Sequence, residues 1–172
     1  MAKERLITKI DYARAGKITP QMEAVAAKEH KTPEEIRAGV AKGCIAIPAN
    51  IHHAALSPEG VGEGMRTKVN VNLGISGDLM NAEMELEKVR TAIELGAEGI
   101  MDLSNHGKTH DFRKHLIDMS PAMIGTVPMY DAIGYLEKPL IGITAQDFLD
   151  VVRAHAEDGV DFVTIHAGMN RR

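Results

Sequence analysis

Side chains with chemistry to offer gather where the apolar strings of this sequence give out. In "KVNVNLGIS", Asn70 and Asn72 alternate with Val69, Val71 and Leu73, so both amides share one face of an extended segment and can hydrogen-bond a ligand. Gly74 and Gly77 would let backbone approach that ligand closely. The same string also reads as an Asn- and Gly-rich turn that only shapes a loop, and its spacing is neither a dinucleotide fingerprint nor a P-loop. "IMDLSNHGKT" sets Asp102 and Ser104 at a strand end, with His106, Lys108 and His110 beyond. A metal needs ligands fixed by structure, so this loop-borne His-x3-His reads instead as a helix start with its polar cap in solvent. Tyr130 in "IGTVPMYDAIGY" offers a phenol that can donate to a ligand, or a packed ring with a wet hydroxyl. His52 and His53 are adjacent on an extended segment and point to opposite sides, which suits a structural role better than chelation of one ion. His166, at the carboxyl end of "DFVTIHAG", faces the mouth at which parallel strands present their ligands. His30, His115 and His155 fall among charges on helices and read as solvated.

Composition narrows the classes. The single cysteine, Cys44, rules out an intramolecular disulfide and cannot supply the three or four thiolates of an iron–sulfur cluster. A net charge of −4 argues against a nucleic-acid surface, which needs clustered Lys and Arg, and 3% aromatics without Trp offer no stacking platform for bases. The terminal "RR" is an end, not a basic patch. "MAKERLITKIDYARAGK" has no signal-peptide core, and no apolar run approaches the ~20 residues that span a bilayer. The expectation is a cytoplasmic protein with no membrane or nucleic-acid partner.

The elements that must position these residues follow from periodicity. "TPQMEAVAAKEH" and "TPEEIRAGVAKG" each start a helix with Thr at the N-cap and Pro at the first position, and the second adds Glu35 of a capping box and Gly43 as a stop. "CIAIPANIHH" is a short strand ended by Pro48, and residues 54–67 form a loop. From residue 68 onward, strands at 68–76, 99–104, 122–127 and 161–168 alternate with helical sequence, so βα units and a parallel sheet are predicted. Polar residues collect at the carboxyl ends of those strands (Asn72, Asp102 to Ser104, Thr126 and His166), where such sheets bind ligands.

The strings "KITPQMEAVA", "IPANIHH", "GEGMRTKVNVNLGIS", "IMDLS", "IGTVPMYDA" and "GVDFVTIHAG" resemble, in this order, the phosphomethylpyrimidine synthase family, which makes the pyrimidine of thiamin. The resemblance implies an α/β fold of the (β/α)8-barrel class. Residues 1–67 would form an amino-terminal helical and loop region, and residues 68–172 the first half of the barrel. It implies aminoimidazole ribotide as the small-molecule substrate, held in part by residues matching Asn72, Met101, Tyr130 and His166. It also implies S-adenosylmethionine, a 4Fe–4S cluster, a divalent metal with zinc expected, and a homodimer of the full-length protein. The cofactor would carry the radical chemistry while the protein positions substrate and excludes water.

The family's Ser-Arg-Gly, Asp-Gly-Leu-Arg and Cys-x2-Cys-x4-Cys segments do not occur in these 172 residues. The expectation is therefore an amino-terminal part that does not catalyse the reaction by itself and holds no cluster or metal ligands. His52 also stands where the family usually has Asn in "NINH". "SNHGKT" is compatible with a thiamin enzyme or with the related hydroxybenzimidazole synthase branch of cobalamin biosynthesis. A further alternative is a half-barrel that self-associates through open sheet edges and binds a phosphorylated metabolite without catalysis.

Overall fold

The computed structural model describes residues 7–78, 80–107, 109–136 and 139–168. The chain divides into two compact units, residues 1–49 with 57–68, and residues 50–56 with 69–172.

The first unit carries helices α1 (Lys9–Arg14), α2 (Pro20–Lys28) and α3 (Pro33–Lys42), with a short antiparallel pair β1 (Ile45–Ala46) and β2 (Val61–Gly62). Each helix starts on a threonine whose hydroxyl accepts from a first-turn N–H: Thr8 from Asp11, Thr19 from Met22, Thr32 from Glu35. Thr32 and Glu35 form the expected capping box, and Gly43 ends α3. Met22, Val25, Ile36, Val40, Ile45 and Ile47 fill the core of this unit. The loop before residue 69 is tied to the end of α2 by charge. Lys28 donates to the Ser57 carbonyl and the Glu59 carboxylate, while Glu29 accepts from the Arg66 N–H and from Lys68.

The second unit repeats strand and helix: β3 (Asn70–Leu73), α4 (Ala82–Glu94), β4 (Gly99–Asp102), α5 (His110–Met119), β5 (Met123–Thr126), α6 (Pro128–Tyr135), a 3-10 turn (Leu140–Gly142), α7 (Ala145–Asp158) and β6 (Phe162–Val163). The four strands pair in chain order, all parallel. Their register sets Asn72 beside Met101 and Met101 beside Gly125, with Phe162 next to Gly125. Alternation then divides the sheet. Leu73, Ile100 and Ile124 point to one face, where Leu86 and Val89 of α4 and Phe112, Leu116 and Ile117 of α5 complete the core. Asn70, Asn72, Met101, Gly125 and Phe162 point to the other. The α/β class and parallel sheet agree with the periodicity.

Strands are shorter than the sequence pattern predicts. Gly74 explains the end of β3: its φ is +147°, and a Cβ there would meet the Ser104 nitrogen at 2.5 Å. The chain leaves regular geometry but keeps its partner, since Leu103 still donates to the Leu73 carbonyl and Asn105 to that of Ile75.

Residues 50–56 are stitched to the second unit at the amino ends of β5 and β6. Asn50 donates its side-chain amide to the Ala156 and Val160 carbonyls and its backbone N–H to Asp161. His52 is exposed and its neighbour His53 is buried, but the segment is a turn and not the expected extended chain, since the His53 N–H donates to the Asn50 carbonyl at 3.2 Å. His53 reaches the Asp161 carboxylate at 2.7 Å through Nδ1 and the Ser120 carbonyl at 2.8 Å through Nε2. Both partners are acceptors, so both ring nitrogens must donate and the ring must be an imidazolium. Burial opposes that charge, but the hydrogen bond and charge of Asp161 outweigh it and raise the His53 pKa.

A raised folded pKa means the stabilisation is full below the ordinary histidine value of about 6.5 and is lost as pH rises through the raised value. His53→Ala should cost about 3 kcal/mol at acidic pH, the lower end for breaking a buried pair because Asp161 keeps two backbone donors. In urea unfolding of the two chains, that difference should shrink as pH rises. A difference independent of pH would remove the imidazolium.

Candidate functional site

The carboxyl ends of β3 and β4 present Asn72 and Met101 side by side on the face away from the helices. Asn72 is exposed and Met101 half-buried. The next position in the row is Gly125, and a Cβ there would come within 2.4 Å of the Phe162 ring, so the ring lies over the glycine. Asn70 donates from Nδ2 to Asn72 Oδ1 at 2.9 Å.

The loops beyond these strands are held from behind. Glu85 of α4 accepts from the Gly74 N–H, and Ser104 Oγ accepts from the Ile75 N–H. Ser104 in turn donates its N–H and hydroxyl to Asp102 Oδ1 at 2.9 and 2.5 Å. Asp102, Ser104 and Thr109 are buried, not a solvated helix cap, because parity directs Asp102 to the helix side of the sheet. Burial lifts the Asp102 carboxyl above the usual range despite both Ser104 hydrogen bonds.

Tyr130 stands in the first turn of α6, with Pro128 at the position where a missing N–H costs nothing. Its neighbour Asp131, 4% exposed, anchors that turn. Asp131 accepts from the Thr109 hydroxyl at 2.6 Å, from Arg113 Nη1 at 3.1 Å and from His155 Nε2 at 2.8 Å. Thr126 bonds the other nitrogen of His155 at 2.8 Å, and Arg113 extends the network to Asp158 at 2.8 Å. Burial pushes the Asp131 carboxyl up, but the His155 and Thr109 hydrogen bonds and the Arg113 charge hold it below the usual carboxylate range. His155 is therefore a buried structural ring and not a solvated one. Thr126 likewise turns to the helix side, away from any ligand on the open face. The Tyr130 ring, 37% exposed, faces the exposed His166 ring with centroids 5.8 Å apart and planes tilted by 40°.

The four residues singled out from the sequence thus fall into two neighbouring pairs, Asn72 with Met101 and Tyr130 with His166, all at or beyond the carboxyl ends of the strands of one sheet. Asp131 and Arg113 were not singled out, and His155 was read as solvated. Arg113 and His155 carry a readable signal, since Arg113 precedes Leu116 and Ile117 by three and four residues and His155 follows Val151 by four, each on a buried helix stripe. His106 and His110 are exposed, Lys108 and the terminal "RR" lie outside the described residues, and Cys44 is exposed. Among the described residues, no three His, Cys, Asp or Glu side chains are grouped to hold a metal ion, and no helix is long and apolar enough to cross a membrane.

Asp131→Ala would leave Arg113 and His155 buried without their shared partner and should cost about 3–5 kcal/mol in urea unfolding. Tyr130→Phe, one residue away on the exposed side of the turn, should change stability by no more than about 0.5 kcal/mol. Comparable losses for both would deny Asp131 its anchoring role.

The profile of the Radical SAM ThiC family matches residues 8–172. The phosphomethylpyrimidine synthase of Alkaliphilus metalliredigens (strain QYMF) is 64% identical over 164 residues, covering 95% of this chain and 38% of its own length. That of Clostridium tetani (strain Massachusetts / E88) is 60% identical over 169 residues, with 98% and 37% covered. That of Clostridioides difficile (strain 630) is 60% identical over 164 residues, with 95% and 38% covered. The chain spans a little under two-fifths of the length of these relatives. With nearly every residue of the chain inside the match, from the first capped helix to beyond His166, the chain belongs to the Radical SAM ThiC family.

Proposed function

We propose that this chain forms the amino-terminal part of a phosphomethylpyrimidine synthase. That enzyme makes the thiamin pyrimidine from aminoimidazole ribotide. The observation that carries the reading is identity of 60–64% across 95–98% of the chain to relatives that all bear that name. The shared name favours the thiamin product over the benzimidazole alternative. Four parallel strands in chain order, each presenting its candidate residue at or beyond the carboxyl end, support a (β/α)8 barrel of which they would be the first half.

In this reading Asn72 hydrogen-bonds the ribotide, the Met101 thioether packs against it, and Tyr130 and His166 close over it as a ring pair with a hydroxyl and an imidazole to offer. Phe162 over Gly125 supplies an apolar wall, which strengthens polar contacts by excluding water. S-adenosylmethionine and a 4Fe–4S cluster supply the radical chemistry of the family. The residues in hand do not fit that cluster, because one exposed thiol, Cys44, cannot replace three or four thiolates. Nor do the described residues offer a zinc site. The cluster and metal ligands, and the homodimer expected of the whole enzyme, are assigned to sequence beyond these 172 residues.

The test is titration of the isotope-labelled chain with aminoimidazole ribotide, followed by NMR. Weak binding is expected, on the order of millimolar, with shifts confined to Asn72, Met101, Tyr130, His166 and their neighbours. Asn72→Ala and His166→Ala should abolish those shifts. Shifts centred elsewhere, or shifts that survive both substitutions, would overturn the site. Reconstitution with iron and sulfide should give no cluster absorption, and a stoichiometric cluster would contradict the ligand count.

A further inference from the structure

Asn70 is absent from the set of residues that meet the ribotide in the reading above, yet it makes the side-chain hydrogen bond that orients one of them. Asn70 and Asn72 stand two residues apart on β3 and so share its open face. An asparagine amide has an oxygen that accepts and a nitrogen that donates, and the two ends are nearly isosteric. What Asn72 shows a ligand therefore depends on which end its neighbour occupies.

We infer that Asn70 is a positioning residue that holds Asn72 Oδ1, so that Asn72 meets the ligand with its NH2 and selects a hydrogen-bond acceptor. This rests on the reading that Asn72 contacts the ribotide. Asn70 Nδ2 donates to Asn72 Oδ1 at 2.9 Å, and Asn72 Nδ2 has no partner among the described residues.

Gly99 makes room for the bond. It lies opposite Asn70 in the β3–β4 register, and a Cβ built on it would stand 3.1 Å from Asn70 Oδ1. A side chain at 99 would crowd that oxygen. The missing side chain leaves the Asn70 amide the room it occupies. With Oδ1 of Asn70 toward Gly99, its Nδ2 turns toward Asn72. The acceptors on a ribotide are its phosphate and ribose oxygens and the unprotonated ring nitrogen, and any one of them satisfies the exposed NH2.

The side-chain amide signals of the 15N-labelled chain read the sense directly, without ligand. In the wild type the shifted, exchange-protected proton should belong to Asn70 Nδ2, with the Asn72 pair free. Asn70→Asp can only accept, so the protected proton should move to Asn72 Nδ2. A protected proton on Asn72 in the wild type, or none on either residue, would overturn the proposal. Asn70→Ala, which adds no charge, should weaken ribotide binding about three- to tenfold, the worth of one ordering hydrogen bond, while leaving thermal unfolding unchanged. Unchanged ribotide affinity in Asn70→Ala would also overturn it. If ribotide shifts no Asn72 signal in the wild type, the site reading falls by itself, and the signals of the free chain still decide the sense of the amide pair.

Discussion

A carboxylate taken out of water must be surrounded by donors, and much of the second unit is arranged around that requirement at Asp131. Its three donors come from the residue preceding α5, from α5 itself and from α7. The hydrogen bonds that satisfy one side chain therefore lock two helices onto the first turn of a third. Thr109 illustrates how firmly this takes precedence, because its hydroxyl serves Asp131 and leaves α5 without a side-chain cap. Tyr130 inherits the fixed position as the adjacent residue, and through its ring so does His166.

The sheet divides its labour by parity alone. One set of alternate residues is apolar except for Asp102 and Thr126 at its carboxyl end and faces the helices, and the other carries two asparagines, a methionine, a glycine and a phenylalanine. Since side-chain period and pairing register are both set by backbone geometry, a slip of one residue in β3 would send Asn72 into the core and bring Leu73 out. The apolar face thus protects the placement of the polar one. At the opposite end of the strands, Asp161 and His53 perform a similar service with a buried charge pair, holding residues 50–56 where β5 and β6 begin.

What could be read from the residues was whatever depends on near neighbours in the chain. The capped starts of α2 and α3, the glycine stop of α3, the parallel βα order and the alternation of β3 are all local, and the structure repeats them. The four candidate ligand residues were legible through the family strings around them; periodicity alone left "VNVNLGIS" open between a binding strand and a loop-shaping turn. Partners distant in sequence were not legible. His155 looked solvated because its chain neighbours are charged, yet its environment is set by Asp131 and Thr126, more than twenty residues away. Asp102 looked like a solvent-facing cap, but a single step of strand parity buries it. The length of β3 was overestimated because the Gly74 contact with Ser104 is between two strands' loops and has no trace in either loop alone.

The ring of Phe162 over Gly125 has an evolutionary consequence. The two residues belong to adjacent strands and cannot both be large, for any β-carbon at 125 would overlap the aromatic ring. The constraint runs one way: position 125 admits a side chain only after a smaller residue stands at 162, whereas 162 can shrink without any change at 125. A growth at 125 is thus contingent on an earlier change thirty-seven positions away in the chain.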